Sequence, residues 1–132
     1  MRALVALCLL VGACASAPPP ADTSGETMVI LKHGCDVTVS FGSYGMGVDQ
    51  ELKARVLSFV EDGSDAAAWP EDTWGREGES SLCILTDTVA ATNRLYDGIV
   101  ALIPPYSSRA PTMVTHIDGR THASRLPPES GQ

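Results

Sequence analysis

Residues 35–41 read Cys-Asp-Val-Thr-Val-Ser-Phe, and the alternation in this stretch decides how the rest of the chain is read. Val37, Val39 and Phe41 are apolar, and Asp36, Thr38 and Ser40 separate them. A period of two residues is that of a strand with one buried face. The alternation runs back through Val29 and Leu31, but Gly34 bends or breaks it, so the main strand is expected at 35–41.

Beyond the strand, Gly42-Ser43-Tyr44-Gly45-Met46-Gly47 is a loop. Asp49 can cap a helix with its carboxylate, and Leu52, Val56, Phe59 and Val60 recur at helical spacing until Gly63 stops them. Ala66–Trp69 reads as a short strand cut off by Pro70, and Glu71–Glu79 as a polar loop. Ser80–Leu85 reads as a further strand, with Cys83 and Leu85 on the face toward the helices. Thr88 can cap a second helix whose stripe is Ala91, Leu95, Ile99, Leu102 and Ile103, ended by Pro104-Pro105. Thr112–Ile117 is a last strand, and Asp118-Gly119 turns it into a short added edge at Thr121–Ser124.

Strand, helix, strand, strand, helix, strand is the order of a split βαβ, or ferredoxin-like, arrangement. The expected fold class is therefore α+β, a two-layer sandwich of two helices on an antiparallel sheet. It occupies residues 28–126 as a single domain, followed by a disordered tail at 127–132. No internal repeat is visible.

The N-terminal residues carry the localisation. Met1-Arg2 supplies a positive charge, and Ala3–Val11 is an apolar run too short to cross a bilayer. Val11-Gly12-Ala13-Cys14 resembles the lipobox of bacterial lipoproteins. The resemblance implies that residues 1–13 are a signal peptide removed before Cys14, which takes a diacylglyceryl thioether and an acylated amino group. Ala15, rather than Asp, follows the cysteine, and the family's sorting rule then implies the outer membrane; the domain is expected to face the periplasm, an orientation the rule itself does not set. Several acyl chains hold a protein on a bilayer stably where one does not. Residues 14–27 then form a lipidated cysteine and a tether containing Pro18-Pro19-Pro20. At about 3.1 Å per residue this tether reaches at most roughly 40 Å.

Sixteen acidic against eight basic residues follow the cleavage point, a formal charge of −8. Such a surface argues against nucleic acid and anionic lipid headgroups as partners and suits a cationic one. Seven of the acids fall in Glu61–Glu79, where Arg76 is the only base. They form no calcium-loop pattern and read as a solvated surface.

An exported compartment is oxidising, so Cys35 and Cys83 are expected to form a disulfide. In a split βαβ sheet the first and third long strands are adjacent and antiparallel, which brings the start of one to the end of the other. Both cysteines are expected to point toward the helices. The bridge removes the thiolates that His33, His116 and the cysteines would need for a metal site, so no metal and no cofactor are expected.

No nucleophile elbow accompanies Ser40 or Ser43, and no acid completes a triad, so no catalytic residue is assigned. Glycines 42, 45 and 47 do not follow a nucleotide-binding spacing. Tyr44 and Met46 on that loop, with Trp69 and Trp74 beside the acidic stretch, are the candidate contact residues. Leu82 and Ile84, expected on the sheet face away from the helices, are a candidate association face. The reading these residues favour is a non-catalytic binding or envelope-structural module that touches an envelope protein. The alternatives are an inhibitor or receptor for a cationic envelope protein, and a small hydrolase or metal-binding enzyme.

Overall fold

A computed structural model describes residues 34–129. The expected signal peptide, Cys14, the tether, residues 28–33 with His33, and the last three residues of the tail lie outside the described residues. The elements are β1 (Val37–Phe41), α1 (Gln50–Asp62), β2 (Ala66–Ala68), β3 (Glu71–Thr73), β4 (Ser80–Thr86), α2 (Val89–Leu102), β5 (Thr112–His116) and β6 (Thr121–Ala123). The sheet order is β2-β4-β1-β5-β6, with β3 also on β4, and every strand pair is antiparallel. Both helices pack on one face, giving the two-layer split βαβ arrangement.

Helix starts follow from the caps. The Asp49 carboxylate accepts from the Leu52 amide and the Thr88 hydroxyl from the Ala91 amide, satisfying donors that the first helical turn leaves free. Between helices and sheet lie Val37, Val39 and Phe41 from β1, Leu52, Val56 and Val60 from α1, and Leu95, Tyr96 and Ile99 from α2. Phe59 is half-exposed on α1 and its ring lies across Gly98 of α2, where a β-carbon would come within 2.2 Å of it. Gly98 therefore lets the two helices close on an aromatic ring.

The face assignment of β4 is corrected. Val37 pairs with Ile84 and Val39 with Leu82, and directly opposed residues share a sheet face. Val37 and Val39 point to the helices, so Leu82 and Ile84 do too, and both are fully buried. They are core, not an association face. Cys83 and Leu85 take the outer face.

The disulfide is nevertheless formed, joining Cys35 and Cys83 with 5.2 Å between their Cα atoms. Cys35 escapes the expected inward parity because it precedes the strand. Gly34 has a φ of 74° and the chain bends at Asp36, whose carboxylate accepts from the Thr86 amide at 2.8 Å. That bend brings Cys35 over the outer face of β4 to meet Cys83.

The polar loop expected at Glu71–Glu79 is shorter than the sequence suggests. Glu71–Thr73 extends the β2 edge along β4. Ala68 opposes Leu85 and Glu71 opposes Leu82, so the two short strands hold one register on either side of Trp69-Pro70. Pro70 has no amide to donate, and its carbonyl accepts from the Cys83 amide at 2.9 Å. Residues 127–129 carry no regular secondary structure.

Candidate functional site

The antiparallel register sorts the connections to two poles. At the near pole, where residue 34 enters, lie Thr86, the start of α2 and the Asp118 turn. At the far pole lie the glycine loop, the β3–β4 connection and the segment before β5, because Phe41 opposes both Ser80 and Thr112. β1 separates the poles by roughly 15 Å at about 3.4 Å per residue.

At the far pole the glycine loop is folded onto the acidic stretch. The Ser43 hydroxyl donates to Glu77 Oε2 at 2.7 Å and accepts from the amides of Gly45 and Gly47. The Gly47 amide also donates to Glu77 Oε2 at 3.1 Å. Positive φ values of 108° at Gly45 and 91° at Gly47 turn these amides inward. Backbone amides arranged this way bind anions, and here the chain's own carboxylate takes the place. The Ser43 hydroxyl, and then the Gly47 amide, hold the Glu77 carboxyl below its ordinary value. The loop is thereby an internal clamp.

This clamp leaves the apolar side chains outside it. Met46 is 96% exposed, Trp74 57% and Tyr44 42%. The Trp74 indole donates to the Ser81 hydroxyl at 3.1 Å, which fixes the ring over the outer sheet face. Beside it runs an apolar groove of about 290 Å³ floored by Ser40 and Gly42 and walled by Pro111 and Met113. A second groove, of about 590 Å³, runs from Met46 along the start of α1 to Arg109, whose guanidinium lies 3.0 Å from Glu51 and 3.5 Å from Asp49. Those two carboxylates, Glu51 first, raise the Arg109 pKa.

Three of the four expected contact residues therefore lie exposed at the far pole, Met46 and Trp74 on separate grooves. Trp69 is not among them. In the register that pairs Ala68 with Leu85, Trp69 falls opposite Ile84 and turns inward, where it packs against the core. Sequence reading did not find Pro111, Met113 or Arg109, which join the site only through the pairing of β1 with β5. The Pro-Thr-Met run at 111–113 gives no separate signal.

Most of the polar groups elsewhere are structurally engaged. Lys53 bridges Glu71 and the buried Ser80 hydroxyl, and its ammonium is the main cause holding Glu71 below its ordinary value. Arg94 likewise lowers Asp65 through paired hydrogen bonds. Ser80 is fully enclosed, so its hydroxyl is out of reach of a substrate. His122 Nε2 contacts the Ile103 carbonyl at 3.1 Å. Among the described residues no three of His, Cys, Asp and Glu are grouped to hold a metal ion.

Comparison with protein-family models, curated proteins and solved structures finds no match to this chain.

Proposed function

We propose that this protein is a lipid-anchored binding module of the bacterial envelope. It is held at the outer membrane through Cys14, faces the periplasm, and acts by contact with another envelope protein rather than by catalysis. The membrane part of the reading rests on the lipobox-like Val11-Gly12-Ala13-Cys14. The binding part rests on one observation: Tyr44, Met46 and Trp74 are exposed together at the pole opposite residue 34, through which the N-terminal segment joins the domain. A module tethered at one end has its free end available to a partner. Large exposed aromatic and Met side chains on a fixed rim are the residue types that dominate protein contacts.

A second reading, a receptor for a cationic envelope protein, is favoured by the formal charge of −8 after cleavage. It differs in its salt dependence, since exposed charge pairs weaken as ionic strength rises.

The test is site-specific photo-crosslinking in intact cells from position 46 at the far pole and from position 89 at the near pole, where Val89 is 77% exposed. A defined adduct from position 46 that is absent from position 89, and lost in Trp74→Ala, supports the contact reading. Equal adducts from both positions, or none from position 46, overturn it. A Cys14→Ala protein that still partitions with membranes overturns the anchor.

A further inference from the structure

His116 is a buried ionisable group with no part in the contact site. It sits on β5 opposite Val37, at the near pole, with its side chain 5% exposed. Its ring meets Tyr96 of α2 edge to face, with centroids 5.4 Å apart and planes at 85°. Nε2 is buried and has no hydrogen-bond partner.

Nδ1 faces two groups of one residue with opposite requirements. The Asp118 amide lies 3.1 Å away and can only donate, which needs a bare ring nitrogen. Asp118 Oδ1 lies 2.9 Å away and can only accept, which needs a protonated one. A single ring nitrogen cannot serve both. The Arg120 amide, first among several causes, holds the Asp118 carboxyl below its ordinary value. The carboxylate therefore stays ionised across the range in which an imidazole titrates.

We propose that His116 is an acid-responsive latch on the β5–β6 turn. With Nδ1 bare, the ring holds the Asp118 amide. When a proton from solvent adds to Nδ1, the ring releases that amide and donates to the Asp118 carboxylate instead. Nε2 has no partner to hold the ring in either arrangement, so Nδ1 and its contacts with Asp118 decide between them.

The turn is coupled to α2. Arg120 Nε donates to Asp118 Oδ2 at 2.8 Å, and its guanidinium donates to Asn93 and lies 4.9 Å from the Tyr96 ring centroid. A carboxylate drawn toward the imidazolium competes with its hold on Arg120, the residue that ties the turn to the helix. The other charged groups near the ring are Asp36, ahead of β1, and Asp87, ahead of α2, which share with His116 a cleft of about 300 Å³.

The experiment is a pH titration of the full-length, isotopically labelled chain by NMR. The latch requires the His116 ring carbons, the Asp118 amide and the Arg120 Nε resonance to move through one common midpoint. In His116→Gln the Asp118 amide should stop moving over that range. An Asp118 amide that stays still while His116 titrates overturns the latch, as does one that still moves in the variant. The first comparison is made within the unaltered protein, so it decides the matter even if the variant fails to fold.

Discussion

Glu77 accepts hydrogen bonds from both the Ser43 hydroxyl and the Gly47 amide, and so clamps the glycine loop to the acidic stretch. The clamp depends on ionisation. A carboxyl whose folded-state pKa lies below its unfolded value of 4.5 stabilises above that value and loses the contribution as pH falls through the folded one. Acidification below about pH 4.5 should therefore lower the protection of the Gly47 amide, which then exchanges faster relative to its intrinsic rate at that pH. Glu77→Gln should show the faster exchange already at neutral pH, with little change in the midpoint of global unfolding. Unaltered exchange at Gly47 in Glu77→Gln would show that the clamp is absent in solution.

The face assignment of β4 can be checked by truncation. Leu82→Ala and Ile84→Ala remove fully buried side chains and should each cost about 2–5 kcal/mol in chemical denaturation. Leu85→Ala, on the outer face and only half-buried, should cost less than about 1.5 kcal/mol. The reverse order would mean that the strand is inverted.

The Cys35–Cys83 bridge spans 48 residues of sequence and lies on the outer face, away from the core. Its loss should act chiefly by freeing the unfolded chain, with a cost of about 2–4 kcal/mol. The double variant Cys35→Ser and Cys83→Ser should match the reduced wild type in urea denaturation. A double variant much less stable than the reduced protein would reveal packing that the outer-face position does not provide.

Phe59 and Gly98 form a coupled pair across the helix interface. An alanine in mid-helix favours the helix by about 1 kcal/mol over glycine, but at position 98 its β-carbon occupies the space of the Phe59 ring. Gly98→Ala should be neutral or destabilising alone and stabilising in a Phe59→Ala background. A double-mutant cycle should return a coupling of about 1 kcal/mol or more. Additive effects would place the Phe59 ring elsewhere.

The elements most legible in the sequence are those whose signal is local. Asp49 and Thr88 each stand where their oxygen meets an amide three residues on, and both helices begin there. Val37, Val39 and Phe41 offer only one apolar face, so β1 has one possible orientation. Ser80–Thr86 has apolar residues of both parities, and only its pairing with β1 chooses between them. Glu71-Asp72-Thr73 has no apolar alternation at all; it is a strand because β4 offers a free edge and Lys53 binds Glu71. Met46 and Trp74 are visible as large apolar residues in polar surroundings. Pro111 and Met113 become their neighbours only once β5 is laid against β1, a relation between residues about seventy apart that no local pattern encodes.

The Trp69-Pro70 break in the β2–β3 edge also governs how copies of the domain meet one another. An open strand edge invites a second molecule to continue the sheet. This edge is interrupted at Trp69-Pro70 and carries the acidic residues Glu71 and Asp72 immediately after the interruption. A strand approaching from another copy would find an interrupted edge and like charge facing it. The same short segment that completes the sheet on this side therefore disfavours its continuation there into a neighbouring copy.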